Sequence, residues 1–198
     1  MNYLAHLFLS GDSDEIKIGN FIGDAVKGKQ YLHFSEGIQR GILLHRAIDS
    51  FTDQHIITKQ CSQRFRDSYA RYSGIVTDVV FDHFLAANFE RYSVIGLNNF
   101  IGDIHKLLLS RFFILPNEIK SILPFFIQHK RLESYATLEG LEQTLEIMGR
   151  NTSMPRNSHL VIKVIRDNYD NIKSEFESFF PDLISFVETK GIVISYQR

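Results

Sequence analysis

Three sets of polar residues stand at helical spacing inside apolar sequence. His45, Asp49 and Asp53 lie at i, i+4 and i+8. Asp78 and Asp82 lie at i, i+4, with His83 adjoining, and Asn20 and Asp24 repeat the interval. Residues four apart on an α-helix project side by side from one face. An imidazole over a carboxylate is a ready pair of metal ligands, and two or three such helices can turn their polar stripes toward one another. Carboxylates in runs such as Val79-Val80-Phe81-Asp82-His83-Phe84-Leu85 are seldom buried unless paired or metal-bound. Asp78 and Asp82 also repel one another, which a cation relieves. Simpler readings stand beside this one. His45 is a packed core histidine or an intrahelical partner of Asp49. Asp53 caps a helix beginning near residue 55, Asp78 complements the dipole of a first turn, and Asp24 lies on a solvated face.

The elements that must position these residues are helices. The spacing predicts helices over about 2–9, 14–27, 35–52, 55–71, 75–91, 97–112, 117–130, 137–149, 158–179 and 181–190. Asn157 and Ser158 suit N-caps, and Pro181 suits the first position of a new helix. Residues 151–157 read as a loop. Gly191 to Tyr196 is β-branched enough for a short extended segment. No repeat, linker or low-complexity tract interrupts the pattern. The expectation is an all-α, single-domain helical bundle over residues 1–198 with short connections. Phe112, Phe113, Phe125 and Phe126 read as core.

Composition narrows the function classes. With 44% hydrophobic residues, 17 Phe and 8 Tyr, the chain has the apolar surface a disordered one lacks. A single cysteine excludes an intramolecular disulfide framework and a CxxC zinc module, and fits a reducing cytoplasm. A net charge of -1 weighs against general nucleic-acid binding. No run approaches the ~20 apolar residues of a membrane span, so no membrane insertion is expected. The first residues carry His6 and no basic leader, unlike a signal peptide.

Four segments in order resemble the acyl-carrier-protein phosphodiesterase family. They are Asn2-Tyr3-Leu4-Ala5-His6-Leu7, the stretch from Gly19 to Gly28, His45-Arg46-Ala47-Ile48-Asp49 with Thr52-Asp53, and Thr77-Asp78-Val79-Val80-Phe81-Asp82-His83-Phe84-Leu85. Asp167, Tyr169 and the Phe176–Pro181 stretch are weaker echoes. That family is similar to a distorted version of the HD-domain metal-dependent phosphohydrolases. Their usual pattern has an adjacent His-Asp; this chain has His45-Arg46 and the reversed pair Asp82-His83. The resemblance implies removal of 4′-phosphopantetheine from the serine of holo acyl carrier protein, with Mn²⁺ or Mg²⁺.

The resemblance adds Asp24 and His6 to the residues that spacing selects. The expected metal ligands are then Asp24, His45, Asp49, Asp82 and His83, with Asp53 and Asp78 adjoining them and His6 serving in proton transfer or metal binding. The chemistry suits these residue types. A divalent ion held by Asp and His offsets the charge of a phosphodiester and acidifies water. Carboxylates with some imidazole suit Mn²⁺, while Mg²⁺ favours oxygen more strongly. A serine alkoxide leaving group needs a proton, for which His6 and His83 are candidates. Arg46 is expected to hold non-bridging phosphate oxygens, or else to form an interhelical ion pair.

Carrier proteins are typically acidic, and residues 105–131 hold Lys106, Arg111, Lys120, Lys130 and Arg131 against Glu118 as the sole acid. That segment is the expected partner-binding face, unless it is simply a solvated one. Two other functions fit the same residues less fully: an HD-like nucleotide phosphohydrolase, and a non-catalytic helical interaction module.

Overall fold

Side-chain caps mark where helices begin. Ser13 accepts from the Ile16 N–H and Thr137 from the Gly140 N–H, each satisfying a donor that the first turn leaves free. The computed structural model describes residues 1–194. In chain order the helices are α1 (Tyr3–Phe8), α2 (Asp14–Phe21), α3 (Glu36–Gln54), α4 (Ile56–Gln63), α5 (Arg66–Tyr69) and α6 (Ser73–Ala87). They continue with α7 (Leu97–Ser110), α8 (Asn117–Gln128), α9 (Arg131–Ser134), α10 (Leu138–Asn151), α11 (Ser158–Asp167) and α12 (Tyr169–Glu188). Short 3₁₀ turns at Gly23–Ala25, Gln30–His33, Ala70–Tyr72, Phe89–Arg91 and Phe112–Ile114 join them. The fold is all-α, with no strand among the described residues.

Helix α6 is the axis of the molecule. Val76 to Ala86 is buried almost without interruption, apart from Asp78, and α1, α4, α10 and α12 pack around it. A helix apolar on every side has to be surrounded. Phe81, Phe84, Phe176, Phe179 and Phe180 form an aromatic seam between α6 and α12, with ring centroids 5.0–6.2 Å apart. One core runs from Met1 to Ile194.

Several boundaries differ from the periodicity. The expected helix over 14–27 stops at Phe21 and tightens into a 3₁₀ turn. The one over 55–71 divides at Arg64 and ends where Ala70 adopts φ +45°, a conformation its Cβ disfavours. Pro181 starts no helix: it lies exposed inside α12, while Phe176, Phe179, Phe180, Leu183 and Val187 are buried on the opposite face. Their burial outweighs the ~3 kcal/mol that an interior proline costs. The break falls at Asn168 instead, whose side-chain amide donates to the Val164 carbonyl and closes α11. Asn157 precedes α11 without a capping hydrogen bond; its amide donates to the Ser68 carbonyl. The extended reading of the tail covers Gly191 to Ile194 with no strand, and its Ser195 and Tyr196 lie outside the described residues. Phe113 and Phe125, read as core, are exposed; Phe126 is buried and Phe112 half-buried. No helix among the described residues is long and apolar enough to cross a membrane.

Candidate metal and catalytic site

Two glycine contacts bring the polar stripes together. Helices α2 and α3 cross at Gly19 and Gly41; a Cβ on Gly19 would lie 2.8 Å from the Gly41 Cα and 2.9 Å from the Ile42 nitrogen. In the following turn, a Cβ on Gly23 would come within 2.6 Å of the His45 Cβ and Cδ2. Both glycines are therefore required by close approach. They let Asn20 and Asp24 reach the face of α3 that carries His45 and Asp49. Helix α1 delivers His6 from the other side.

The His6 and His45 rings stack with centroids 4.1 Å apart and 21° between planes. Asn20 orients both. Its side-chain amide donates to the His6 carbonyl (2.7 Å) and to the Ser10 hydroxyl (3.0 Å), which fixes its Oδ1 as an acceptor. His6 Nδ1–H donates to that oxygen at 2.8 Å, and His45 Nδ1–H donates to the Asn20 carbonyl at 2.9 Å. Each ring thus turns Nε2 toward Asp49: His6 Nε2 is 3.1 Å from Oδ1 and 3.2 Å from the Met1 carbonyl, and His45 Nε2 is 3.2 Å from Oδ2. Asp24 Oδ1 lies 3.4 Å from His45 Nε2.

This arrangement fits a divalent cation. Metal-binding histidines characteristically donate from one ring nitrogen to a fixed acceptor and offer the other. The ligand atoms of His6, His45 and Asp49 lie within 4.8 Å of one another. His45 Nε2 is buried, and although within ion-pairing distance of two carboxylates it lies outside hydrogen-bonding geometry with either. Two imidazoles with a carboxylate are a donor set for a first-row divalent metal.

The electrostatics are coupled. Burial, followed by the neighbouring His45, lowers the His6 pKa to about 4 against the pull of Asp49. Burial also disfavours the His45 proton, but the adjacent carboxylates of Asp24 and Asp49 prevail and raise its pKa to about 9. Asp49 is held well below the carboxylate range: burial opposes ionisation, and the two imidazoles overcome it. Asp24 is lowered chiefly by the neighbouring His45 imidazole.

The remaining expected residues fall into three groups. Asp53 and Asp78 join Asp24 and Asp49 along one cleft of about 490 Å³. Asp53 is exposed there, and the helix after it is capped by His55 instead. Asp78 pairs with the Met1 amino group at 3.0 Å, and burial raises its pKa. Asp82 is buried and committed elsewhere: its two oxygens accept from the N–H groups of Asn2 (3.1 Å), Leu4 (2.8 Å) and Ala5 (3.4 Å), pinning the start of α1. Burial raises its pKa to about 7 against those bonds. His83 is turned away from the cluster, with Nδ1–H donating to the Tyr135 carbonyl at 2.8 Å and its ring against Phe84 and Tyr169. Arg46 donates to the Val26 carbonyl at 2.8 Å and lies over Tyr31, tying down the segment after α2 rather than facing the cleft. Arg111 and Lys130 are exposed, Lys120 and Arg131 half-buried, and Lys106 is paired with Asp103 at 3.0 Å.

Arg71 was not singled out by spacing. It is the basic side chain that lines the acidic cleft among the described residues. It donates to the Tyr72 hydroxyl at 2.7 Å, which in turn meets the Ser153 hydroxyl at 2.6 Å. Its turn begins at the positive-φ Ala70, a conformation that costs on the order of 1–3 kcal/mol and gathers at functional sites. No periodicity marks a turn residue. The role of Asn20 was equally hidden, although the Gly19–Gly23 spacing around it signals close packing.

A helical bundle with stacked imidazoles and a carboxylate-lined cleft is a recognisable class of histidine–carboxylate protein. The family model for acyl carrier protein phosphodiesterase matches residues 1–183, and the chain belongs to that family. It is 30% identical over 193 residues to the acyl carrier protein phosphodiesterase of Photorhabdus laumondii subsp. laumondii, covering 96% of each chain. It is 29% identical over 195 residues to the protein of the same name from Yersinia enterocolitica, covering 97% of this chain and 100% of that one. No solved structure matches.

Proposed function

We propose that the protein hydrolyses the phosphodiester joining 4′-phosphopantetheine to the serine of holo acyl carrier protein, releasing 4′-phosphopantetheine and the apo carrier. The observation that carries this reading is the convergence of the two imidazole Nε2 atoms on Asp49, which lines the cleft. The names and near-complete coverage of its relatives support the substrate. His6, His45 and Asp49, with Asp24 at their edge, would hold Mn²⁺ or Mg²⁺. When bound, that ion supplies Lewis acidity, offsetting the diester's charge and acidifying water.

The chain's own residues do the rest. Asn20 accepts from the Nδ1–H of both rings and so turns both Nε2 atoms toward Asp49. Arg71 takes the part first expected of Arg46, offering its guanidinium to the non-bridging oxygens. Asp78 holds the Met1 amino group beside the cleft. Lys120, Lys130, Arg111, Lys106 and Arg131 steer the acidic carrier toward the cleft. Incubation of holo carrier protein with the enzyme and Mn²⁺ tests this by mass spectrometry. The expected result is loss of the phosphopantetheine mass with an intact serine, abolished by His45→Ala and Asp49→Ala at unchanged helicity. An unaltered carrier mass in the presence of bound Mn²⁺ would overturn it.

A further inference from the structure

Beyond the acidic cleft lies a second depression of different character. It occupies about 540 Å³ between α8 and α10, within the ~300–1,000 Å³ of small-molecule pockets. Tyr3, Ile122, Phe125, Phe126, Ile147 and Met148 line it. The two depressions adjoin, since Asn2, Tyr3 and Met148 line both.

The groove's inner wall is rigid. Tyr3 and Phe126 meet edge-on at 5.3 Å, and both contact Phe21. Its outer side is apolar and open to solvent: Phe125 is 64% exposed, Ile122 39% and Ile147 37%. Large side chains left open beside an acidic cleft are a binding feature rather than unfinished core. The ionised side chains in its lining are Glu118 and Arg131, one of each sign. A neutral, partly alkyl segment matches such a lining.

We infer that this groove holds the pantetheine arm of the substrate, the uncharged amide-and-alkyl chain that begins at the phosphodiester and ends in a thiol or thioester. The inference rests on the proposed reaction for its choice of occupant. A phosphorus atom at the histidine–carboxylate cluster leaves one substituent to the carrier serine and the other to the arm. The shared lining of Asn2, Tyr3 and Met148 places the groove next to the acidic cleft, within reach of the arm. Phe125 and Ile147 then face its distal half and set which groups on sulfur are accommodated.

The test measures binding and turnover separately on the full-length, Mn²⁺-loaded protein. Titration calorimetry reads the affinity for pantetheine, and for S-octanoyl pantetheine, in the absence of any diester. Phe125→Asp and Ile147→Asp place a carboxylate beside the alkyl chain and should weaken both affinities about tenfold. Val94→Asp, at an equally exposed apolar residue before α7, should leave them unchanged. With holo carrier protein, the two groove variants should raise KM far more than they lower kcat. Circular dichroism checks that each variant keeps its helicity. Pantetheine binding that the groove variants weaken, without carrier hydrolysis, would sustain the groove and defeat the proposed reaction. Carrier hydrolysis with no pantetheine binding, or binding and KM indifferent to both groove variants, would overturn the groove.

Discussion

His45 stands between opposing demands. Burial disfavours its proton, whereas Asp24 and Asp49 favour it, and the balance raises its pKa to about 9. A metal ligand must be neutral, so at pH 7 ion binding has to expel that proton. His6, already lowered to about 4, has none to lose. The prediction is that Mn²⁺ binding at pH 7 releases about one proton per ion, and that affinity rises about tenfold per pH unit until His45 deprotonates near 9. Calorimetry in buffers of different ionisation enthalpy measures the release; a pH-independent affinity would count against His45 as a ligand. Gly23→Ala gives a steric version of the same test. The new Cβ forces the His45 ring aside, and Mn²⁺ affinity should fall about 10–100-fold, the range for losing a group that orients a ligand. Helicity should be unchanged. Arg71→Ala should do the reverse, leaving Mn²⁺ affinity intact while raising KM for holo carrier about tenfold or more, as expected for a lost charge-assisted hydrogen bond.

At the scale of elements, much was legible in the sequence and some was not, for identifiable reasons. The repeats at His45, Asp49 and Asp53 and around Asp78 marked α3 and α6, because a helix face is a local property. The i, i+4 rule also grouped Asp82 with Asp78, yet Asp82 turns to α1, a relation across 77–80 positions that spacing along one helix does not contain. The same limit explains His83: the Tyr135 carbonyl that holds it lies 52 residues away. Pro181 misled in a different way, through a real local cost that burial of five apolar neighbours exceeds. These relations yield a test. Asp82→Ala removes the acceptor that pins α1, costing about 0.5–2 kcal/mol by analogy with lost N-caps. In a chain of this size each kcal/mol lowers Tm by roughly 2–4 °C. Because α1 carries His6, turnover should fall with Tm, and Asp82→Asn, which keeps one acceptor oxygen, should recover part of both. A normal Tm with abolished Mn²⁺ binding in Asp82→Ala would instead return Asp82 to the ligand set that spacing first suggested.

Over the whole molecule, a net charge of -1 conceals an uneven distribution. Carboxylates line the cleft, while the basic residues from Lys106 to Arg131 surround the exposed Leu109, Phe113 and Phe125 on α7, α8 and the turn between them. The cleft would repel an acidic carrier; the α7–α8 segment would attract one. Attraction of this kind acts mainly on encounter and decays with the Debye length, from about 30 Å at 0.01 M salt to about 8 Å at 0.15 M. Lys120→Glu with Lys130→Glu should therefore lower kcat/KM for holo carrier strongly at 0.01 M and much less at 0.15 M, with kcat nearly constant. Lys106→Glu should have a smaller effect, because Asp103 already offsets that charge. Pantetheine, which carries no charge to steer, should bind the double variant as it binds the wild type. Stopped-flow capture of fluorescently labelled holo carrier over a salt series measures the encounter rate directly. A loss independent of ionic strength, or one confined to kcat, would show that these lysines act within the docked complex and not on the approach to it.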